Sequence, residues 1–376
     1  MTGHYLIYIF IAFTASAACG FVFIPAILNF CKRKGLYDLP DARKIHKNAV
    51  PRLGGISFLP SMVLASFVAI VVFNRHFWGE QITISPWSVG FFFSLLIIYT
   101  VGIIDDLLGL GALTKFTAQI AAAVILPACG LYINNLYGFC GIHQISFAVG
   151  APLTVFIMVF VSNAINLIDG IDGLSAGLSF FALAGFLLCF LREGMLAYSI
   201  LIAALMGVLV PFLYHNIWGD ATKNNKIFMG DSGSLTLGFI LGFLFVKFSM
   251  DNPEVRHFNL NSMMLAYSLL IVPVFDVVRV SLVRIAHHTS IFRADKNHIH
   301  HKLMRTGMSQ HLTLVFILVV ALVFVALNVV LWHFCNMSVL VCADIVAWLL
   351  LQAAINLLIR RQGQKVFLPN PPLDHE

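Results

Sequence analysis

Long apolar runs alternate with short polar stretches along almost the whole chain. Each run is long enough to cross a hydrocarbon core about 30 Å thick, which takes about 20 helical residues. The pattern predicts eleven membrane-spanning helices, near 5–30, 54–73, 87–104, 115–133, 151–168, 175–191, 195–214, 234–250, 262–285, 311–334 and 338–360. Between the fourth and fifth, residues 133–150 (INNLYGFCGIHQISFAVG) mix glycine with alternating apolar and polar positions and predict a loop or short hairpin. The first run has no basic residue before it and is followed by Cys31-Lys32-Arg33-Lys34, the mark of a retained span rather than a cleaved signal.

Composition agrees with that pattern and sharpens it. Of 376 residues 60% are hydrophobic and 11% charged, with a mean hydropathy of +0.91, too little polar surface to coat a soluble globule. The expected fold is therefore an all-α polytopic membrane protein. The expectation is a single transmembrane domain over residues 1–360 and a short cytoplasmic tail at 361–376. Most of the 34 Phe are expected to face lipid or pack between helices. The seven Cys lie mostly within spans and lack metal-ligand spacing; Cys129 and Cys140 are the pair that could meet on the outer side.

Charge sets the orientation. With the N-terminus outside, all but Arg75, Arg192, Lys247 and Arg256 of the 23 Lys and Arg fall in loops on one side, which the positive-inside rule makes cytoplasmic. Attraction to anionic lipid accounts for the net charge of +6 without a nucleic acid partner.

Against this background three acidic clusters stand out, each where an apolar run ends on the same face: Asp105 and Asp106 in IIDDLLGLG, Asn166, Asp169 and Asp172 in NAINLIDGIDGL, and Asp231 in KIFMGDSGS. Carboxylates at a membrane boundary are costly without a cation, a partner or water, so three such clusters suggest one shared metal and phosphate site. Asp105 and Asp106 are neighbours on a helix and so point about 100° apart, which predicts divided roles. Lys115 opens the next span and is placed to return to the same surface as a phosphate-binding cation.

An uninterrupted helix would put Asn166, Asp169 and Asp172 on one face, but Gly170 and Gly173 predict that the helix loosens there. Backbone amides beside carboxylates would then suit a nucleotide diphosphate with its cation. At the start of the GDSGS span, Asp231 is a candidate ligand or an N-cap, and Phe228 offers a stacking face for a planar base. A fourth element, RADKNHIHHKL, places Arg293, His298, His300 and His301 in a basic loop suited to metal or phosphate recognition. Zinc is disfavoured because no Cys is nearby and the carboxylates suit a hard cation.

In this order, IIDDLLGLG, NAINLIDGIDGLSAG, KIFMGDSGSLTLG and ADKNHIHHKL, preceded by PRLGGISF at 51–58, resemble the motifs of the polyprenyl-phosphate N-acetylhexosamine-1-phosphate transferase family. The resemblance runs from about residue 30 to 310. It is stronger to the bacterial branch using UDP-N-acetylglucosamine than to the phospho-MurNAc-pentapeptide branch, whose Pro-Thr-Met-Gly-Gly is replaced here by Pro51-Arg52-Leu53-Gly54-Gly55. The resemblance implies Asn166 and Asp231 as ligands of Mg2+, with Mn2+ as a substitute, and Lys115 as the phosphate-binding lysine. It implies Asp105 and Asp106 as the pair that binds or deprotonates the lipid phosphate, and Asp169 at the ribose and diphosphate.

By the same resemblance Asp172 and Phe228 hydrogen-bond and stack uracil, while His298, His300 and His301, with Arg293, belong to the loop that holds the sugar nucleotide. Gly109 stands where some branches carry a Lys. The implied reaction transfers N-acetylglucosamine 1-phosphate from a UDP-sugar to undecaprenyl phosphate and releases UMP, the first membrane step of a cell-envelope glycan pathway. The implied location is the bacterial inner membrane with the site facing the cytoplasm; a homodimer is left open. Phospho-MurNAc-pentapeptide transfer is the alternative within the enzyme class. A membrane transporter is the alternative outside it, disfavoured because the acids cluster at one face rather than the midplane and no inverted repeat is visible.

Overall fold

The computed structural model describes residues 2–38, 49–76, 82, 85–252, 259–290 and 296–368. The chain is built from helices α1 (Thr2–Lys34), α2 (Phe58–His76), α3 (Pro86–Leu108), α4 (Ala112–Ala128), α5 (Phe147–Leu167), α6 (Leu174–Arg192), α7 (Leu196–Ile217), α8 (Gly230–Ser249), α9 (Ser262–Leu269), α10 (Ile271–Ala286), α11 (Ile299–Arg305), α12 (Gln310–Leu331) and α13 (Met337–Arg361). Short 3-10 turns occupy Gly54–Ser57 and Ala221–Lys223. The segment expected as a loop or hairpin forms β1 (Asn135–Phe139) and β2 (Ile142–Gln144), an antiparallel pair.

Among the described residues nine helices are long and apolar enough to cross a membrane. Two of the eleven expected spans take other forms. The run near 115–133 becomes the 17-residue α4, and the run near 262–285 breaks into α9 and α10 at Leu270. Pro273 accounts for the break: it has no N–H to give to the carbonyl four residues back, at Leu269, where α9 ends.

Every residue of α8 from Ser232 to Ser249 is buried, and α3, α5, α6 and the 3-10 turn pack around it. Small residues make that central position accessible. A Cβ on Gly102 of α3 would stand 2.5 Å from the Ser232 Cα, and one on Gly238 would stand 2.6 Å from the Ser162 Cα of α5. Backbones that close are how helices associate where lipid offers no hydrophobic drive. Helices α12 and α13 lie at the periphery. They join α10, α11 and the 168–174 turn through a second apolar cluster that includes Ile168, Leu174, Ile299, Leu303 and Trp348. The Cys pair considered above is not bonded; all seven Cys are free. The tail is described to Leu368, whose N–H and carbonyl both bond the Asn297 side chain, each at 3.1 Å.

Candidate active site

Two glycine-shaped turns bring the first cluster together. Gly109, at φ +71°, closes α3 and donates its N–H to the Asp105 carbonyl at 2.8 Å. The chain reverses within three residues, and Lys115 on the first turn of α4 reaches back to Asp105 Oδ2 at 3.2 Å. Asp105 Oδ1 accepts the Leu110 N–H at 2.6 Å. Asp106 points elsewhere, as its neighbouring helical position requires: its two carboxylate oxygens accept the N–H groups of Asp231 (2.8 Å) and Ser232 (3.0 Å).

Those amides belong to the unpaired first turn of α8, so Asp106 caps α8 from another helix. Asp231, a candidate N-cap from sequence, instead sits within the first turn of the helix. Gly230 before it has φ +74°, and a Cβ there would meet the Asp106 carboxylate at 2.5 Å.

Asp231 is the hub. Its Oδ2 accepts from Lys115 Nζ at 2.6 Å and its Oδ1 from Asn166 Nδ2 at 3.0 Å, while Asn166 also donates to Ser234 Oγ at 2.8 Å. Asn166 lies on the last turn of α5, which ends at Leu167 as its glycines predict; Asp169 and Asp172 lie in the following turn, before Gly173 at φ +76° opens α6. Asp105, Asp106 and Asp231 each offer a carboxylate oxygen, and these oxygens lie within 4.8 Å of one another. Hard anionic oxygens at that spacing, with the Lys115 ammonium already drawn between two of them, fit a divalent cation.

A cavity of about 750 Å³ opens beside this cluster. Of the residues singled out by sequence, Asp106, Asp169, Asp172, Phe228, Asp231 and His301 line it; Asp105, Lys115 and Asn166 stand behind Asp231. His298 and His300 are buried away from the cavity. His298 Nδ1 pairs with Asp276 Oδ2 at 2.8 Å, and the His300 ring packs directly on Gly170. Burial, reinforced by the charges of His301 and His298, holds the His300 imidazole well below the usual range and therefore neutral. Arg293 lies outside the described residues.

Several polar lining residues were not singled out by the sequence, among them Lys226, Asn216, Arg52 and Asp38. Residues 225–229 run without regular structure; Ile227 is fully buried, while Lys226, Phe228 and Met229 line the cavity. Lys226 Nζ pairs with Asp172 Oδ2 at 2.6 Å. Asn216, near the end of α7, accepts the Gly173 N–H at 2.6 Å and donates to the Ile227 carbonyl at 2.9 Å, tying the two walls together. Arg52 and Asp38 complete the side near Asp106.

Asp169 is open to water in the cavity yet crowded by protein elsewhere. Lost hydration, with the negative charges of Asp231, Asp172 and Asp106, pushes its carboxyl up to about 7. A carboxyl whose pKa rises on folding destabilises the fold as pH climbs from its unfolded value, about 4, through 7. Asp169→Asn is therefore expected to raise the melting temperature in metal-free detergent at pH 8. The gain should shrink at pH 5 and vanish below about pH 4. A pH-independent difference would show that this charge crowding is absent.

The glycosyl transferase family 4 model matches residues 88–249, the stretch holding all three acidic clusters. Over 324 residues the chain is 31% identical to a probable undecaprenyl-phosphate N-acetylglucosaminyl 1-phosphate transferase of Bacillus subtilis, covering 85% of this chain and 84% of the relative. It is 32% identical to a decaprenyl-phosphate N-acetylglucosaminephosphotransferase of Mycobacterium tuberculosis, over 74% of this chain and 71% of the relative. An undecaprenyl-phosphate alpha-N-acetylglucosaminyl 1-phosphate transferase of Escherichia coli K12 is 28% identical, over 82% and 81%. The chain belongs to glycosyl transferase family 4.

Proposed function

We propose that this protein transfers N-acetylglucosamine 1-phosphate from UDP-N-acetylglucosamine to undecaprenyl phosphate, releasing UMP at the cytoplasmic face of a bacterial inner membrane. The observation that carries this reading is the convergence on Asp231 of Asp105, Lys115 and Asn166, beside a cavity large enough for a sugar nucleotide. The names of the relatives supply the donor sugar and the acceptor lipid. The sidedness rests on the bias of Lys and Arg among the loops.

Mg2+ held by Asp105, Asp106 and Asp231, with the Asn166 amide oxygen at hand, would neutralise diphosphate charge as a Lewis acid. Lys115 adds a fixed positive charge where phosphate oxygens gather. Asp172 and Phe228 suit the edge and face of uracil, and Asn216 holds the loops that bear them in register. The acceptor phosphate is already an anion at neutral pH. Its oxygen forms the new bond at the sugar-bearing phosphorus, the P–O bond to uridylate breaks, and the electron pair leaves with UMP. One phosphoanhydride is consumed and one formed, so the step is close to reversible. A phospho-aspartyl route would instead exchange UMP with UDP-N-acetylglucosamine in the absence of lipid acceptor.

Membranes bearing the protein, given undecaprenyl phosphate, Mg2+ and a panel of UDP-sugars, are expected to release UMP with UDP-N-acetylglucosamine and not with UDP-MurNAc-pentapeptide. Release with the pentapeptide donor alone would move the reading to the other branch. No release with any donor, together with uptake of a sugar nucleotide into vesicles, would mark a transporter.

A further inference from the structure

Arg52 lies in the PRLGG segment, at the edge of the cavity beside Asp106. Its position is fixed from both sides. The flanking backbone is joined to the segment before α8: Phe228 N–H donates to the Pro51 carbonyl at 2.7 Å, and Gly54 N–H to the Phe228 carbonyl at 2.9 Å. Its guanidinium is fixed too, Nε and Nη2 both donating to the Asp106 carbonyl at 2.9 and 2.7 Å. That carbonyl lies in the last turn of α3, where the helix leaves its acceptors unpaired.

These two bonds use one edge of a planar group with five N–H donors. Among the described residues the Nη1 end comes no closer to an acid than 3.7 Å, from Asp38 Oδ1, too far for a hydrogen bond. Three donors are thus unspent among the described residues, on a side chain that is 40% exposed and lines the cavity. The lysine on that lining, Lys226, is already paired with Asp172 at 2.6 Å. Six carboxylates also line the cavity, at Asp38, Asp106, Asp169, Asp172, Asp220 and Asp231. A phosphate anion entering such a cavity meets repulsion except at a cation with donors to give, and the guanidinium fork matches phosphate oxygens in geometry as well as charge.

We propose that Arg52 is a phosphate-binding residue of this cavity: one edge is anchored to the Asp106 carbonyl and the free edge receives a substrate phosphoryl group. This rests on the phosphotransfer reading above for the identity of the substrates. Two sources share the chemistry, the lipid phosphate monoester and the phosphates of the nucleotide.

The full-length protein in nanodiscs separates them. R52Q keeps an amide donor able to reach the Asp106 carbonyl but loses the charge, and R52K keeps a charge without the fork. R52Q is expected to raise KM about tenfold or more for one substrate, with the other changed less than threefold, and R52K to fall between R52Q and wild type. A shift in undecaprenyl phosphate assigns the acceptor. A shift in UDP-N-acetylglucosamine, with matching loss of UMP inhibition, assigns the nucleotide.

Both KM values within threefold of wild type would overturn the proposal, as would R52K and R52Q being equal, since Arg52 would then only hold the end of α3. Thermal-shift titrations with UMP and with undecaprenyl phosphate need no turnover, so they read the loss of binding even if the wild type releases no UMP. They also report whether R52Q folds. If it does not, R52K alone decides: a selective several-fold loss of stabilisation by one ligand supports the assignment, and wild-type stabilisation by both refutes it.

Discussion

Asp231→Ala is expected to lower kcat for UMP release by about 10³-fold or more, the scale on which removal of a fixed electrostatic group in a dry site acts. Three losses coincide at this side chain. The Lys115 ammonium loses its 2.6 Å partner, the Asn166 amide loses its 3.0 Å acceptor, and the carboxylate set falls from three to two. Asp231→Asn keeps the shape and can still accept one of the two donors, yet it removes the charge, so it should be almost as inactive. Initial rates at saturating UDP-N-acetylglucosamine and undecaprenyl phosphate, over a range of Mg2+, provide the check. Either variant retaining more than a tenth of wild-type kcat would remove Asp231 from the centre of the site.

Asp106 carries the second large effect, and here activity and stability can be separated. Its carboxylate accepts two backbone N–H groups at the buried start of α8, so Asp106→Ala leaves both unpaired, at a cost of about 2–4 kcal/mol on the scale of buried unsatisfied donors. Because α8 is the helix around which the others pack, that loss should appear as a lower melting temperature for the whole protein. Asp106→Asn retains one acceptor oxygen and should recover about half of the lost stability while staying inactive. Recovery of activity by the Asn variant would mean that the Asp106 charge serves only the fold.

Much of this site could be read from the chain, and the unread parts have a common cause. Helical geometry alone separated Asp105 from Asp106, and the structure turns one toward Lys115 and the other toward α8. Gly170 and Gly173 gave away the end of α5. What spacing could not carry were partnerships between segments far apart in sequence: Asp106 capping a helix 125 residues on, Asn216 bridging Gly173 to Ile227, and Arg52 reaching the carbonyl of Asp106. The His motif shows the same limit. His298, His300 and His301 lie at the start of a short helix, where their spacing spreads them around its axis, and packing on Asp276 and Gly170 selects His301 as the one that faces the cavity. The interrupted span at Leu270 did leave traces in the sequence, Pro273 and the charged Asp276, Arg279 and Arg284 that follow it, but the apolar residues between them carried the run past the break.

Which bond of the donor breaks separates transfer of a sugar phosphate from transfer of a sugar alone. With purified protein in nanodiscs, undecaprenyl phosphate, Mg2+ and UDP-N-acetylglucosamine labelled in its sugar and in its sugar-linked phosphate, the nucleotide product and the lipid product can be counted together. Transfer of the sugar phosphate predicts one UMP per lipid formed, with both labels on the lipid. UDP as the nucleotide product, with only the sugar label on the lipid, would contradict it.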